Sequence, residues 1–103
     1  MLVAFSVAPS GGDPSVGDAV AEAVRIVRES GLPNETTSMF TTIEGEWDEV
    51  MDVVKRATEA VAAVSPRTAL VLKADIRPGH TDMLRTKVRR VEDALAVKGA
   101  TGE

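Results

Sequence analysis

The stretch FTTIEGEWDEV, residues 40–50, decides how this chain folds, because its character changes at Gly45. The residues before the glycine are mostly threonine, isoleucine and phenylalanine, which favour a strand. Three of the next four are acidic, and negative charge is stabilising in the first turn of a helix. The stretch therefore predicts a strand that ends at Glu44 and a helix that begins directly after Gly45. This predicts that the acidic cluster divides between the two elements.

The remaining elements follow from hydrophobic periodicity and from turn residues on either side of this junction. The segment NETTSMFTTIE is about twice the length of a typical strand, so it is interpreted as a hairpin. In chain order the predicted elements are a strand at 2–8, a helix ending at Gly31, a hairpin over 34–44 turning near 37–39, a helix that starts after Gly45 and stops before Pro66, a strand at 69–76 and a third helix capped by Thr81.

This order predicts an α+β fold, the ferredoxin-like β-α-β-β-α-β sandwich with an extra C-terminal helix. We expect one domain over residues 1–97 and a frayed tail over 98–103. Right-handed crossovers place the first two helices on one side of the sheet, which leaves the other side uncovered. Because the first and last strands carry apolar residues on both faces, we expect a homo-oligomer that assembles through its sheets.

The composition of the chain excludes several classes of function. The net charge of −4 argues against nucleic-acid binding, which needs a basic surface. The chain has no cysteine and one histidine, so thiolate chemistry and a histidine-rich metal site are excluded. The N-terminal apolar run is too short for a signal peptide or a membrane span, so a cytoplasmic protein without a membrane partner is expected.

Two groups of side chains are candidates for chemistry. Hydroxyls cluster on the paired strands and the hairpin, where they would orient a small polar heterocycle. Glu44 lies on the strand side of the glycine and can face a cleft, whereas a metal site of Glu44, Asp75 and His80 has no spacing motif behind it. Trp47 falls on the apolar stripe of the second helix, which favours a core or interface position over a stacking platform.

Five segments together resemble a known family, the small thiamine-binding proteins of the MTH1187/YkoF type, also called UPF0045 or DUF77. The resemblance covers about residues 2–95, and its most specific part is the T-x-x-E-G-E-x-D-E-V-M core. The segments are SGL at 30–32, TTIEGEWDEVM at 41–51, VVK at 53–55, KADIRPG at 73–79 and TKVRRV at 86–91.

The resemblance implies a ferredoxin-like homotetramer, a dimer of dimers, that binds thiamine or its hydroxymethylpyrimidine moiety. It implies no catalytic residue, no metal and no cofactor other than the bound ligand. The residues that match the family's hairpin and its flanks are the expected ligand-binding set: Ser6, Thr37, Ser38, Met39, Phe40, Thr41, Thr42 and Glu44.

Two other functions remain open at this point. The first is a structural or regulatory homo-oligomer whose sheet face binds a protein partner, with the hairpin hydroxyls engaged and no cavity beside them. The second is a cofactor-independent enzyme of the dimeric α+β barrel type, which would have to use His80 and Trp47 near its sheet.

Overall fold

The computed structural model describes residues 1–10 and 16–101 and confirms the ferredoxin-like element order. The third helix continues to Thr101, so the first four residues of the expected tail are helical, and residues 102–103 lie outside the described part. The elements are β1 (Leu2–Ser10), α1 (Val16–Glu29), β2 (Asn34–Thr36), β3 (Thr41–Glu44), α2 (Trp47–Ala62), β4 (Arg67–Asp75) and α3 (Met83–Thr101).

The four strands form one antiparallel sheet in the order β2-β3-β1-β4. β1 and β4 pair along their full length, from Leu2 opposite Asp75 to Ser10 opposite Arg67. The hairpin between β2 and β3 turns at 37–40, one residue from the predicted position. The amide N of Thr37 donates to the carbonyl O of Phe40 at 2.9 Å and closes this turn.

The core lies between the sheet and helices α1 and α2, which pack against each other on one side of it. Alternate residues of β1 point into this core, and Val3, Phe5 and Val7 are buried. The residues between them on β1 face the other way and are only half-buried. The side of the sheet that carries Leu2, Ala4 and Ala8, together with Ala69 and Val71 of β4, is called the open face below.

The junction after β3 lies at Gly45, where closely packed side chains favour a residue without a Cβ. A Cβ at Gly45 would lie 3.1 Å from Val50 Cγ2 and 3.3 Å from Leu32 Cδ1, closer than most side-chain contacts. Glu46 is then the N-cap residue of α2, and its amide N donates to Glu49 Oε1 at 3.2 Å. The prediction that these carboxylates begin a helix is therefore confirmed.

Helix α3 does not pack in the way α1 and α2 do. Met83 is buried, but every residue from Lys87 to Gly99 is exposed. The radius of gyration is 16.5 Å, against about 13 Å for a compact chain of this length, because α3 projects away from the body. Among the described residues, no helix is both long and apolar enough to cross a membrane.

Candidate ligand-binding site

A gap in the sheet arises because the strands differ in length. β1 has nine residues, whereas β3 has four and pairs with β1 only from Leu2 to Phe5. Beyond Phe5 the hairpin turns away, and the edge of β1 that faces β3 has no strand partner among the described residues. Backbone donors and acceptors along such an edge are available to a ligand.

A cavity of about 180 Å³ lies beside this unpaired edge of β1. β1 forms its floor, the hairpin tip forms one wall, and the apolar side of α1 forms the other wall. None of the lining residues, all in the described part of the chain, has a charged side chain. They are Phe5, Ser6, Val7, Ala8, Val20, Ala23, Val24, Val27, Thr36, Thr37, Ser38, Met39, Phe40 and Thr41.

The hydroxyls at this cavity are not equivalent. Thr37 Oγ1 donates to the carbonyl O of Phe40 at 3.0 Å and accepts from the Phe40 amide N at 3.3 Å, so it maintains the turn. Within the described residues, the hydroxyls of Ser38 and Thr41 have no protein hydrogen-bond partner. Thr41 as a residue is only 8% exposed, and its hydroxyl oxygen is open to the cavity, where a ligand can bond to it.

The structure places six of the eight residues in the expected ligand-binding set around this cavity. Ser6 reaches it along the edge of β1, although strand alternation assigns its side chain to the open face. Thr42 and Glu44 do not line it. Thr42 pairs with Ala4 and belongs to the open face, and Glu44 is at the other end of β3.

Glu44 anchors α3. Its carboxylate is buried, and its two oxygens accept hydrogen bonds from the amide N of Met83 at 2.8 Å and of Leu84 at 3.1 Å. These amides belong to the first turn of α3, where helix donors lack partners within the helix. The predicted cap, Thr81, is wrong, because a carboxylate 39 residues away in sequence fills that role.

The other chemically interesting residues lie away from the cavity. Trp47 and His80 line a separate depression near Met1, at the opposite end of β1. Trp47 is 55% exposed, so it does not belong to this chain's own core, and the interface position that the sequence also allowed stays a prediction. Asp75 accepts a hydrogen bond from Lys87 Nζ at 2.6 Å, which holds the pKa of its carboxyl below the ordinary value.

The sequence did not predict that residues of α1, or most of those of β1, line the cavity. The side chains of Val20, Ala23 and Val24 follow the helical period, which indicates an ordinary core face. One available signal was the length of β1, since a strand much longer than its neighbour leaves an unpaired edge. That signal requires knowing which strands are adjacent, and the sequence shows this only indirectly.

The fold is that of a small ferredoxin-like α+β protein, with an uncharged cavity between a sheet edge and a helix. Comparison with known proteins gives the family. Residues 3–92 match the family model described as thiamine-binding protein, and the chain belongs to that family. A UPF0045 protein of Mycobacterium bovis is 59% identical over 96 residues, covering 92% of this chain and 94% of the relative.

Solved structures agree with this assignment. A hypothetical protein of Methanocaldococcus jannaschii superposes with a TM-score of 0.80 at 27% identity, covering 88% of this chain and 94% of that one. A DUF77 domain from Bacillus cereus gives 0.73 at 36% identity, covering 82% and 84%. A proposed thiamine biosynthesis or salvage protein of Thermotoga maritima gives 0.72 at 26% identity, covering 85% and 96%.

Proposed function

We propose that this chain is a non-catalytic cytoplasmic protein that binds thiamine through its hydroxymethylpyrimidine moiety, or binds that pyrimidine alone. The observation that carries the proposal is the uncharged cavity between β1 and the hairpin tip, with unengaged hydroxyls at Ser38 and Thr41. The family's name and the Thermotoga maritima relative support the choice of ligand.

The size and charge of the cavity favour the pyrimidine half of thiamine. A volume of about 180 Å³ is below the roughly 300–1,000 Å³ of sites for drug-sized ligands, so one ring fits better than two. The thiazolium ring is a cation, and Glu44, the one carboxylate in the expected ligand-binding set, is bound to the α3 backbone instead. The thiazolium would therefore remain at the mouth of the cavity.

The polar groups of the cavity match an aminopyrimidine. Its exocyclic amine donates and its ring nitrogens accept, and a free strand edge offers both a carbonyl and an amide to such a pair. The hydroxyls of Thr41 and Ser38 can accept from the amine or donate to a ring nitrogen. Val20, Val24 and Phe5 then supply apolar contacts for the ring.

The geometry supports this function over the two alternatives. A purely structural oligomer predicts hairpin hydroxyls that are engaged within the tetramer with no cavity beside them, whereas the single chain has a cavity there. A barrel-type enzyme would need His80 or Trp47 at its site, and both lie at the other end of the sheet.

Isothermal titration calorimetry tests the proposal with three compounds: thiamine, hydroxymethylpyrimidine and the hydroxyethylthiazole moiety. We expect one site per chain for the first two and no binding of the third. The thiazole is the matched control, because it is the other half of thiamine and lacks the donor–acceptor edge of the aminopyrimidine. Dissociation constants above about 1 mM for both thiamine and the pyrimidine, equivalent to about −4 kcal/mol, would contradict the proposal.

A further inference from the structure

The tip of the β2–β3 hairpin carries a methionine that lines the ligand cavity and is also open to solvent. Met39 lies between Thr37 and Phe40, where the Thr37 amide N donates to the Phe40 carbonyl O at 2.9 Å and holds the tip in place. Met39 lines the cavity, yet it is 73% exposed. A dissolved oxidant can therefore reach its thioether from outside, although the same residue forms part of the cavity wall.

The other methionines of the chain are less accessible. The chain has four, and all of them lie in the described part of the structure. Met83 is 3% exposed, and Met1 and Met51 are half-buried. The chain has no cysteine, so no thiolate of its own competes for an oxidant. A peroxide should therefore oxidise Met39 first, because the oxidation of a sulfur atom depends on its exposure.

We infer that Met39 is an oxidation site through which hydrogen peroxide weakens ligand binding. The Met39 Sδ attacks one peroxide oxygen, the O–O bond breaks, and the second oxygen leaves as water after proton transfer. Sulfur loses two electrons and the peroxide gains them, so the products are methionine sulfoxide and water. The inference rests on the proposed pyrimidine-binding function, because the oxidised residue belongs to the same cavity. Reductases that act on methionine sulfoxide would reverse the change.

Oxidation removes a contact that suits an aromatic ligand. A methionine sulfur packs favourably against an aromatic ring, and one such contact is equivalent to about a fivefold change in affinity. The cavity wall beside Met39 is otherwise apolar, with Val20 and Val24 of α1 among its residues. The sulfoxide converts an apolar side chain into a polar one, which favours water over an apolar wall. The oxidised side chain should therefore turn outward and leave the ring without this contact.

The sulfoxide oxygen also competes with the ligand for hydrogen bonds. Ser38 and Thr41 line the same cavity, and their hydroxyls have no protein hydrogen-bond partner among the residues that the structure describes. These hydroxyls are the groups proposed to bind the aminopyrimidine. The Met39 side chain is unbranched and has three rotatable bonds, so its sulfoxide oxygen can reach and accept from either hydroxyl. Oxidation at this one residue would thus remove both an apolar contact and a hydrogen-bond donor from the ligand.

The test treats wild type, Met39→Leu and Met51→Leu with hydrogen peroxide, locates the sulfoxide by peptide mass spectrometry and measures hydroxymethylpyrimidine binding by calorimetry. Oxidised wild type should bind about tenfold more weakly than untreated wild type, because a contact and a hydrogen bond are lost together. Met39→Leu lacks the sulfur, so it should start a few-fold weaker, and peroxide should change its affinity less than about twofold. Met51→Leu, at a half-buried position of α2, is the matched control and should respond to peroxide as wild type does.

Reversal distinguishes this effect from general damage to the protein. Methionine sulfoxide reductases with a thiol reductant should restore the affinity of oxidised wild type to within about twofold of its starting value. Met39→Gln, which is polar without any oxidant, should bind at least about fivefold more weakly than wild type, and peroxide should not weaken it further.

Several outcomes would overturn the inference. They are a sulfoxide that forms first at Met1 or Met51, an unchanged affinity in oxidised wild type, and an equal loss on oxidation in Met39→Leu. If untreated wild type does not bind hydroxymethylpyrimidine at all, the proposed function fails, and this inference fails with it. If untreated wild type binds and oxidation at Met39 leaves the affinity unchanged, this inference alone fails.

Discussion

Thr41 and Glu44 stand at the two ends of the same four-residue strand, and they have different kinds of neighbours. The hydroxyl of Thr41 lines a cavity and has no protein hydrogen-bond partner among the described residues. Glu44 is buried to a similar extent as a residue, but both of its carboxylate oxygens accept backbone hydrogen bonds from α3. The hydroxyl at one end of β3 is available to a ligand, whereas the carboxylate at the other end is occupied by hydrogen bonds to α3.

The comparison shows that burial alone does not identify a binding residue. A buried polar group generally has a partner, so the informative observation is which partner it has. Glu44 has a protein partner and is therefore structural, whereas Thr41 is the group for which a ligand would complete the hydrogen bonding. If this division is right, substitutions at the two ends of β3 should change different measured quantities.

The largest effect is expected for Glu44→Ala. It removes two hydrogen bonds to a buried carboxylate and leaves two helix amides without partners, so the free energy of unfolding should fall by about 2–3 kcal/mol. Affinity for hydroxymethylpyrimidine should change less than about twofold. Urea denaturation and calorimetry measure the two quantities, and the protein concentration is held fixed because any self-association would shift the denaturation midpoint.

Glu44→Gln is the matched control, since it keeps the shape and one acceptor oxygen. Its loss of stability should be about half as large, at roughly 1 kcal/mol. The assignment of Glu44 as a structural residue would be contradicted if either variant at this position abolished ligand binding while stability was retained.

Thr41→Val should show the opposite pattern. It removes a hydroxyl without changing the shape of the side chain, so the affinity for the pyrimidine should fall about tenfold, equivalent to about 1.4 kcal/mol. The free energy of unfolding should change by less than about 1 kcal/mol, because no intramolecular hydrogen bond is lost. Calorimetry with Thr41→Ser as the rescue variant checks this, and unchanged affinity in Thr41→Val would contradict the assignment.

A smaller effect is expected for Thr37→Val at the hairpin tip. The hydroxyl makes two hydrogen bonds to Phe40, but the backbone bond between these residues remains. Stability should fall by about 0.5–1 kcal/mol, and affinity should fall a few-fold because the cavity wall is less ordered. Thr37→Ser should restore both. An affinity loss as large as that of Thr41→Val would mean that Thr37 contacts the ligand directly.

The smallest effect concerns the second contact that holds α3, between Asp75 and Lys87. Because Lys87 lowers the pKa of the Asp75 carboxyl, the unfolded chain binds more protons at acidic pH, and stability rises with pH there. The contribution is present at neutral pH and is lost as pH falls below about 4. Melting temperatures of wild type and Asp75→Asn should therefore differ slightly at pH 7 and converge at acidic pH; a constant difference would contradict this.

The sequence predicted the sheet and the hairpin well because these depend on local signals. The strand-to-helix change at Gly45 and the excess length of residues 34–44 each follow from composition within a few residues. Both were confirmed by the pairing of β2 with β3 and by the helix that starts at Trp47.

The sequence failed where a contact joins distant segments. The cap of α3 comes from Glu44, 39 residues earlier, so local rules selected Thr81 instead. The exposure of Trp47 could not be predicted either, because the stripe that it shares with Val50 and Val54 also fits a buried residue. The cavity depends on unequal strand lengths across the sheet, which become visible only once the strands are paired.

The most direct test of the central claim is a titration of the isotope-labelled protein with hydroxymethylpyrimidine, followed by amide chemical shifts. The account predicts saturable shifts at Ser6 to Ala8 and at 37–41, around the cavity. The amides of Met83 and Leu84, bound to Glu44, should not move. Shifts that centre on Glu44 and the start of α3, with the hairpin tip unchanged, would contradict the account.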